Sequence, residues 1–452
     1  MPAPSPYEIL REMLRAAAKH LGCREAASFE AKDLGCPQGF LVTGGLGWVQ
    51  IGRDMKRARC GLILVGAMAL SGAVRADQVD DLIGQLHSTH VDVRSDAADA
   101  LVKAKSPRAV PALIEAMGDP VESVRARAVR ALASTVTKAD LQRLMIALDS
   151  KDEHRRAGAA TLLGLINDRR ASGMLIQATN DRAEIVRVAA IESLGEMGEP
   201  AAAKYLRLNL HDPKPRVRLK AVTALGLLRD TRSAAALVPL LHDPNDGIQS
   251  GTAVALARIG DRSVVPALIG IIESKTSIEP FGVRFYSAYA LGALNDRRAA
   301  PVLQEGLSDK DPTVRVAAAG ALGSLRVQSA VPMLTKLLTD RYYLVRFTAA
   351  QSLGNIADRR AVPALLKGLK DPNEDIREQS AKALGKIGDR KAVPALIALF
   401  ADSDEAIPKA AVLALGRIGD PQALPAVRKL LQHKDPTVRV AAADVVKMLE
   451  KK

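Results

Sequence analysis

Apolar and polar residues recur along most of the chain in a pattern that predicts pairs of short amphipathic helices. The clearest copy runs from Asp371 to Ala401, with the sequence DPNEDIREQSAKALGKIGDRKAVPALIALFA. Within it, Ile376, Ala383 and Leu384 recur at helical spacing and form one apolar stripe, and Leu396 belongs to a second stripe. Neither helix can bury its stripe alone, so each pair needs neighbours of the same kind.

Residues that favour helix ends frame both stripes. Asp371 is predicted to cap the first helix, with Pro372 in the first helical position, where its missing N–H costs nothing. Gly385 and Gly388 loosen the end of that helix, and Asp389 offers a cap for the second. The stretch therefore predicts a helix, a tight turn and a second helix.

The same pattern recurs, and an arginine in the motif V-R-x-x-A-A marks its phase. This marker position is occupied in twelve copies by Arg94, Arg125, Arg156, Arg187, Arg218, Gln249, Arg284, Arg315, Arg346, Arg377, Pro408 and Arg439. Successive markers are 31 residues apart, except for Gln249 and Arg284, which are 35 residues apart. We number the repeats 1 to 12 by these markers. A period held over this length predicts a stack of repeats.

The running consensus DPxxxVRxxAAxALGxIGDxRAVPALIxxL resembles the short HEAT repeats of phycobilisome lyases. The segments Asp311 to Gly323 and Asp358 to Pro372 match it almost residue for residue. The resemblance implies an all-α fold: an α-solenoid, a right-handed superhelix of about twelve helical hairpins, whose second helices line the concave face. We place this solenoid over residues 77–452, where Val79 to His87 looks like a second helix without its first.

The residues before the array contain the parts of a secretory signal peptide. Residues 55–76 combine the basic segment MKRAR, the apolar run GLILVGAMAL and the small residues SGAVRA. The apolar run is shorter than the roughly 20 residues that a membrane span needs. We therefore predict cleavage before Asp77, or alternatively after Ala73, and export to a bacterial periplasm or cell envelope. A buried core helix, an uncleaved anchor and a cytoplasmic protein are the alternatives.

Residues 1–54 do not resemble the repeats. We interpret them as an extension from a start codon assigned too early, not native or disordered, with a genuine small domain or targeting arm as the alternative.

Composition and motifs narrow the function. The 452 residues carry a net charge of +14, which favours acidic partners, and the three cysteines, Cys23, Cys36 and Cys60, all precede the array. The array therefore has no disulfide framework or CxxC zinc site, and it contains no P-loop, HExxH, nucleophile elbow or dinucleotide fingerprint. We predict a scaffold that binds a protein partner along its concave face, with no catalysis, cofactor or metal. The alternatives are an accessory lyase or maturation enzyme and a polyanion binder.

The marker arginines could themselves form a ladder that binds a polyanion. A residue kept in nearly every repeat is more often architectural, because binding sites are usually local to a few repeats. We therefore predict that each marker arginine pairs with carboxylates or helix-end carbonyls of neighbouring repeats and fixes their register.

Aromatic residues are concentrated in one region of the array. Seven of the nine aromatic residues after residue 76 lie between residues 281 and 347. Since aromatic side chains are enriched in binding hot spots, we predict a partner-binding region here, together with lysines of nearby second helices. The alternative is that the aromatic side chains fill a packing gap left by the four residues that lengthen the step from Gln249 to Arg284. The predicted residues are Phe281, Phe285, Tyr342, Tyr343, Phe347, Lys336, Lys367 and Lys370.

The predicted signal peptide has a direct test. N-terminal sequencing of the protein purified from its native host should begin at Asp77, or at Val74 if cleavage follows Ala73. A soluble cytosolic protein that begins at Met1 or Pro2 would contradict export.

Overall fold

The computed structural model describes residues 76–274, 282–404 and 406–450, and these residues form stacked helix pairs. The predicted extension and nearly all of the predicted signal peptide lie outside the described residues. Repeats 1 to 11 each have a longer first helix that carries the marker residue and a shorter second helix, and repeat 12 has a first helix alone. This arrangement confirms the predicted all-α solenoid.

The twelve first helices are Val91–Ala104, Glu122–Ala133, Glu153–Ile166, Glu184–Glu196, Pro215–Leu228, Asp246–Ile259, Val283–Leu294, Pro312–Ser324, Tyr343–Ile356, Glu374–Ile387, Ala406–Ile418 and Pro436–Glu450. The second helices are Ala76–Gln85, Val110–Ala116, Leu141–Leu148, Ser172–Ala178, Ala203–Leu206, Ala234–Leu237, Val265–Glu273, Ala300–Gly306, Val331–Leu337, Val362–Gly368, Val393–Ala398 and Leu424–Lys429. Four second helices continue as 3₁₀ turns at Leu208–His211, Val238–His242, Leu399–Ala401 and Leu430–Gln432. The described array thus begins with a second helix and ends with a first helix, as the repeat phase predicts.

The end residues of the clearest copy act only partly as expected. Asp389 accepts the backbone N–H of Lys391 at 3.0 Å, and Gly388 ends the first helix in the left-handed conformation with φ 73°. The predicted cap at Asp371 and the predicted first helical position of Pro372 are both wrong. The helix begins at Glu374, and the side chain of Asn373 caps it by accepting the N–H of Ile376 at 3.2 Å. The carboxylate of Asp371 is instead used in a contact between repeats.

Small residues let successive first helices approach closely. A Cβ atom added at Gly385 would lie 2.7 Å from the Cα atom of Ala414 in the next first helix. The same close approach occurs between Gly292 and Ala321, where that distance would be 2.8 Å. The core between the helices is aliphatic, and Ile376 and Leu396 are completely buried in it. This packing explains why the chain is rich in alanine and why aromatic residues make up only 3% of it.

A ladder of arginine–aspartate pairs joins consecutive repeats. The guanidinium of Arg156 donates from Nε and Nη2 to both carboxylate oxygens of Asp181, at 2.8 and 2.9 Å, and the two side chains are 8% and 15% exposed. Eight markers make such a pair with the aspartate 25 residues ahead. The pairs are Arg94–Asp119, Arg156–Asp181, Arg187–Asp212, Arg218–Asp243, Arg284–Asp309, Arg315–Asp340, Arg346–Asp371 and Arg377–Asp402. The architectural interpretation of the marker arginines is therefore confirmed at these positions.

Most of these arginine–aspartate pairs, which we call rungs, are also hydrogen-bonded to the backbone of the loop between the two repeats. The Asp181 carboxylate also accepts the backbone N–H of Ala183 at 2.8 Å, while the Asp181 carbonyl accepts Nη1 of Arg187 at 2.8 Å. Arg187 also pairs with the carboxylate of Asp212, so the same arginine connects two consecutive ion pairs. Removing one partner of a buried, hydrogen-bonded ion pair costs about 3–5 kcal/mol, because the other charge stays buried.

The ladder has gaps where the marker or its partner residue changes. Arg125 donates Nη1 to the carbonyl of Asp119 at 2.8 Å, but the residue in the carboxylate position is Ser150. At the marker of repeat 6, Gln249 donates to the carbonyl of Asp243 at 2.7 Å, and a serine stands where a carboxylate would. The marker of repeat 11 is a proline. The longer step of 35 falls after repeat 6, where the marker is glutamine and cannot form an ion pair.

Ionisation of the ladder aspartate Asp402 contributes to stability. Hydrogen bonds from Arg377 hold the pKa of the Asp402 carboxyl below its usual value, although burial opposes the shift. A lowered pKa in the folded state means that the carboxylate stabilises the fold above its unfolded pKa of about 3.9. That contribution is lost as the pH falls through the lower folded value.

Deletion of one whole unit tests the register of the ladder. Removing residues 309–339 joins Ser308 to Asp340, which then stands 25 residues after Arg284, where Asp309 stood. We expect a shorter helical protein that melts cooperatively, because contacts are mainly between neighbouring repeats. Circular dichroism and size-exclusion chromatography measure this.

Removing only residues 325–339 is the matched control. It deletes a second helix, leaves an apolar stripe unmatched and takes the carboxylate of Asp340 out of register, so we expect aggregation. Identical behaviour of the two deletions would show that the assigned period is wrong.

Candidate functional site

Tyr342 is the most accessible residue of the predicted aromatic region. It immediately precedes the helix Tyr343–Ile356, and 40% of it is exposed. Its ring lies 4.6 Å from the guanidinium carbon of Arg341 and 5.7 Å from that of Arg315. The ring therefore lies close to two guanidinium groups, and the Tyr342 hydroxyl accepts Nη2 of Arg341 at 2.9 Å.

The other aromatic residues are more deeply packed. Phe285 is only 8% exposed and packs edge to face on Tyr286, with ring centroids 5.0 Å apart. Tyr343 and Phe347 are half-buried, and burial raises the pKa of the Tyr343 hydroxyl, with the charge of Asp375 adding to the shift. Phe281 lies outside the described residues. Direct partner contact at this region thus depends mainly on Tyr342, while Phe285 has a core environment.

The three predicted lysines are all exposed. Lys336 and Lys367 lie on the second helices Val331–Leu337 and Val362–Gly368, one full period apart, so they occupy the same place in successive repeats. Lys370 lies in the turn that follows the second of these helices. The two helical lysines extend a positive charge from one repeat to the next along the exposed side of the second helices.

Two exposed apolar residues lie at the same position of the repeat as Lys336 and Lys367, and the sequence analysis did not select them. Ile146 is 66% exposed and Leu208 is 71% exposed. Counted from the marker of each repeat, both stand at the position that Lys336 and Lys367 occupy in theirs. We call these four residues the second-helix column. Aligning the repeats on their markers is the signal that could have found Ile146 and Leu208.

A tyrosine lies beside one member of the second-helix column. Tyr205 is one helical turn before Leu208 and is also exposed. Its ring lies 4.7 Å from Nζ of Lys204, so the aromatic surface and a positive charge stand together next to the exposed leucine.

The four residues of the second-helix column offer two kinds of contact, from aliphatic side chains at Ile146 and Leu208 and from lysines at Lys336 and Lys367. The same position holds other residue types in the remaining repeats, among them Glu115, Gln177 and Glu305. Exposed apolar side chains gain free energy when a partner removes them from water, by about 25 cal/mol per Å². Exposed lysines steer acidic partners and set orientation more than affinity. The column can therefore give a partner apolar contacts at repeats 2 and 4 and positive charge at repeats 8 and 9.

Metal binding and membrane insertion are two other roles on which the structure bears. Within residues 76–274, 282–404 and 406–450, no three histidine, cysteine, aspartate or glutamate side chains are grouped so that they could hold a metal ion. Across the same ranges, no helix is long and apolar enough to span a membrane.

The stacked helix pairs and their exposed second-helix column define a repeat protein of the α-solenoid class. A family model described as HEAT repeats matches residues 79–162, 141–213, 207–279, 279–354, 336–407 and 393–451. The chain therefore belongs to the HEAT-repeat family. No curated protein matches the chain at a significant level.

Solved structures of importin-β proteins share the fold. Importin beta crystallised in ammonium sulfate is 16% identical, with a TM-score of 0.58, over 82% of this chain and 61% of that chain. Yeast importin-beta (Kap95p) is 14% identical, with a TM-score of 0.56, over 82% of this chain and 60% of that chain. A structure of Kap95p with RanGDP is 14% identical, with a TM-score of 0.57 and the same coverage of 82% and 60%. This chain thus spans about 60% of the length of these proteins, and the likeness is one of fold.

Tyr342→Ala tests whether the exposed aromatic residue binds a partner or only contacts the neighbouring arginines. We expect the free energy of unfolding to fall by about 0.5–1 kcal/mol, the value of an exposed cation–π contact. Capture of a partner should weaken by about 2 kcal/mol or more if Tyr342 is a hot spot, as is typical of such residues. Chemical denaturation and binding measurements on the same variant separate the two effects.

Tyr289→Ala is the control, since Tyr289 is half-buried in the first helix Val283–Leu294 and burial raises the pKa of its hydroxyl. It should cost more stability than Tyr342→Ala. If Tyr342→Ala unfolds the array, the aromatic region is part of the core and not a binding site.

Proposed function

We propose that this protein is an exported scaffold that binds a protein partner along the face lined by its second helices, without catalysis of its own. The observation that carries the proposal is the second-helix column, in which Ile146 and Leu208 expose most of their side chains to solvent. Ile146 and Leu208 hold the same position two repeats apart, so a partner that spans these repeats can remove both side chains from water.

The comparisons support a role in protein binding at the level of the fold. Kap95p, which has the same type of solenoid, binds RanGDP in one of the matching structures. Stacked repeats provide an extended surface on which several neighbouring units can each contribute a contact. Within the HEAT-repeat family, we propose that these repeats are of the short phycobilisome-lyase type, on the basis of their 31-residue spacing and consensus.

The proposed compartment rests on the sequence before the array. The signal-like residues 55–76 end where the first described helix, Ala76–Gln85, begins. A chain cut before Asp77 would keep every described repeat. We therefore propose that the partner is another protein of the periplasm or cell envelope, with acidic character where it meets Lys336, Lys367 and Lys370.

The double variant Ile146→Ser/Leu208→Ser tests the proposed surface. The protein beginning at Asp77 serves as bait for an envelope extract, and captured proteins are quantified by mass spectrometry. Because both side chains are exposed, we expect the free energy of unfolding to change by no more than about 0.5 kcal/mol for each substitution. A partner held by the second helices should be enriched on the wild-type bait and largely lost from the variant.

Leu165→Ser/Leu227→Ser is the matched control. Leu165 is 56% exposed, and both leucines are exposed on the first helices Glu153–Ile166 and Pro215–Leu228. The control should keep the partner that the double variant loses. If the control loses it instead, the partner binds the first helices, and if both variants keep it, neither apolar set is used and the proposed surface is wrong.

A further inference from the structure

The turns inside the repeats form a second surface, separate from the second-helix column. Each turn joins the end of a first helix to its second helix, and contacts between repeats bring successive turns together. Nη2 of Arg298 donates to the carbonyl of Arg262 at 2.9 Å, and Nη2 of Arg360 donates to the carbonyl of Gln328 at 3.0 Å. These bonds place the turns of neighbouring repeats side by side along one edge of the stack.

This edge is rich in basic residues. The exposed basic residues of the turns are Lys105, Arg108, Lys138, Arg169, Arg170, Arg229, Arg232, Arg262, Arg297, Arg298, Arg326, Arg359, Arg360, Arg390 and Lys391. Some of them neutralise the aspartate that caps the same turn, as Arg170 does with Asp168 at 2.9 Å. Basic residues outnumber these aspartates, and they leave the edge with an excess of positive charge.

The turns of three successive repeats form a cavity of about 590 Å³ on this edge. Arg262 of repeat 6, Arg297 of repeat 7 and Arg326 of repeat 8 all line it, together with Asp296 and Ser324. Three arginines from three repeats thus face one open space.

The one carboxylate in the lining is already neutralised. Asp296 accepts Nη2 of Arg298 at 2.7 Å and the backbone N–H of the same residue at 2.9 Å, and these bonds lower the pKa of the Asp296 carboxyl to about 2. Arg262 uses only Nε, which donates to the carbonyl of Leu294 at 3.1 Å. Among the described residues, no hydrogen bond or ion pair engages the guanidinium groups of Arg297 and Arg326. The lining therefore carries uncompensated positive charge.

We propose that this cavity, which we call the turn groove, binds an acidic peptide segment in the polyproline II conformation, with its carboxylates three residues apart. Arg262 and Arg297 hold the same position, 13 residues after their markers, and packed helices lie about 8–10 Å apart, so these two arginines recur at about that distance. Arg326 follows its marker by 11 residues and lines the same cavity from the next repeat. A polyproline II chain has three residues per turn and advances about 3.1 Å per residue, so side chains three residues apart lie on one face at about 9 Å, which matches one repeat. Each carboxylate meets one guanidinium, and arginine suits this pairing because its planar group can donate two parallel hydrogen bonds.

The composition of the turns favours a peptide over a single-stranded nucleic acid. Proteins that bind single strands usually provide aromatic side chains on which bases stack. The described turns, from residues 105–109 in repeat 1 to residues 419–423 in repeat 11, contain no aromatic residue. The turn groove thus offers charge and hydrogen-bond donors without a stacking surface.

A labelled peptide with glutamate at every third position and glycine or serine elsewhere probes the turn groove by fluorescence anisotropy at low ionic strength. The comparison ligands are an isomer with its glutamates contiguous and an oligothymidylate of the same charge. We expect the spaced peptide to bind most tightly. Its affinity should fall at least about tenfold for Arg297→Glu/Arg326→Asp, because two favourable charge contacts become repulsive.

These substitutions suit the local backbone. Arg297 opens a 3₁₀ turn, where glutamate is favourable, and Arg326 has φ 51°, a conformation that aspartate tolerates. The matched control is Lys151→Glu/Arg182→Asp, which makes the same change in net charge in exposed turns between repeats. Its effect should stay within about twofold, because charges far from the ligand are screened by salt.

Three outcomes would overturn the proposal. They are failure of the spaced peptide to bind, equal loss of affinity in the two charge variants, and tighter binding of oligothymidylate through Arg297 and Arg326. The proposed second-helix surface is tested separately, since Ile146→Ser/Leu208→Ser leaves the turn groove intact and should bind the spaced peptide as the wild type does.

Discussion

The arginine–aspartate rung between repeats is the contact on which the array depends. In six of the eight rungs, one aspartate binds the arginine of the preceding repeat and accepts a backbone N–H of its own loop, while its carbonyl accepts the next arginine, as Asp181 does. The carbonyl of Asp243 accepts Gln249 instead, and Asp402 is followed by the marker proline. One residue thus sets the loop conformation and the spacing to the neighbour together. This double use favours a fixed 31-residue period, and the single longer step falls at a junction that lacks a rung.

The fold could be predicted from the sequence because it depends on repetition. Periodic apolar stripes, the column of marker arginines and the small residues needed for close helix packing all recur in phase. Local roles were harder to assign. Asp371 has the sequence context of a helix cap, but its carboxylate is bound by Arg346 at 2.9 Å, and Asn373 caps the helix instead. A pattern of residue types cannot show which of two contacts an aspartate makes when both need a carboxylate.

The candidate site could be predicted only in part, for a related reason. Counting aromatic residues selected Phe285 and Tyr342 together, although the first is packed in the core and the second is exposed. Ile146 and Leu208 were overlooked because an aliphatic residue in a helix is expected to be buried. Exposure in a solenoid depends on the position within the repeat, so alignment on the marker would have been more informative than residue type. The turn groove was missed because its arginines come from three repeats and meet only in the folded stack.

The gaps in the ladder bear on how the array responds to force. Stacked repeats act as elastic elements in series, and in a series the softest junction takes the largest share of any bending or stretching. In the described part of the chain, the junctions without an arginine–carboxylate rung lie between repeats 2 and 3, 6 and 7, and 11 and 12. Repeats 3 to 6 and 7 to 11 are therefore the stiffer segments. The turn groove, formed by repeats 6 to 8, spans the junction between these two segments, so a ligand held there bridges the more compliant middle of the array.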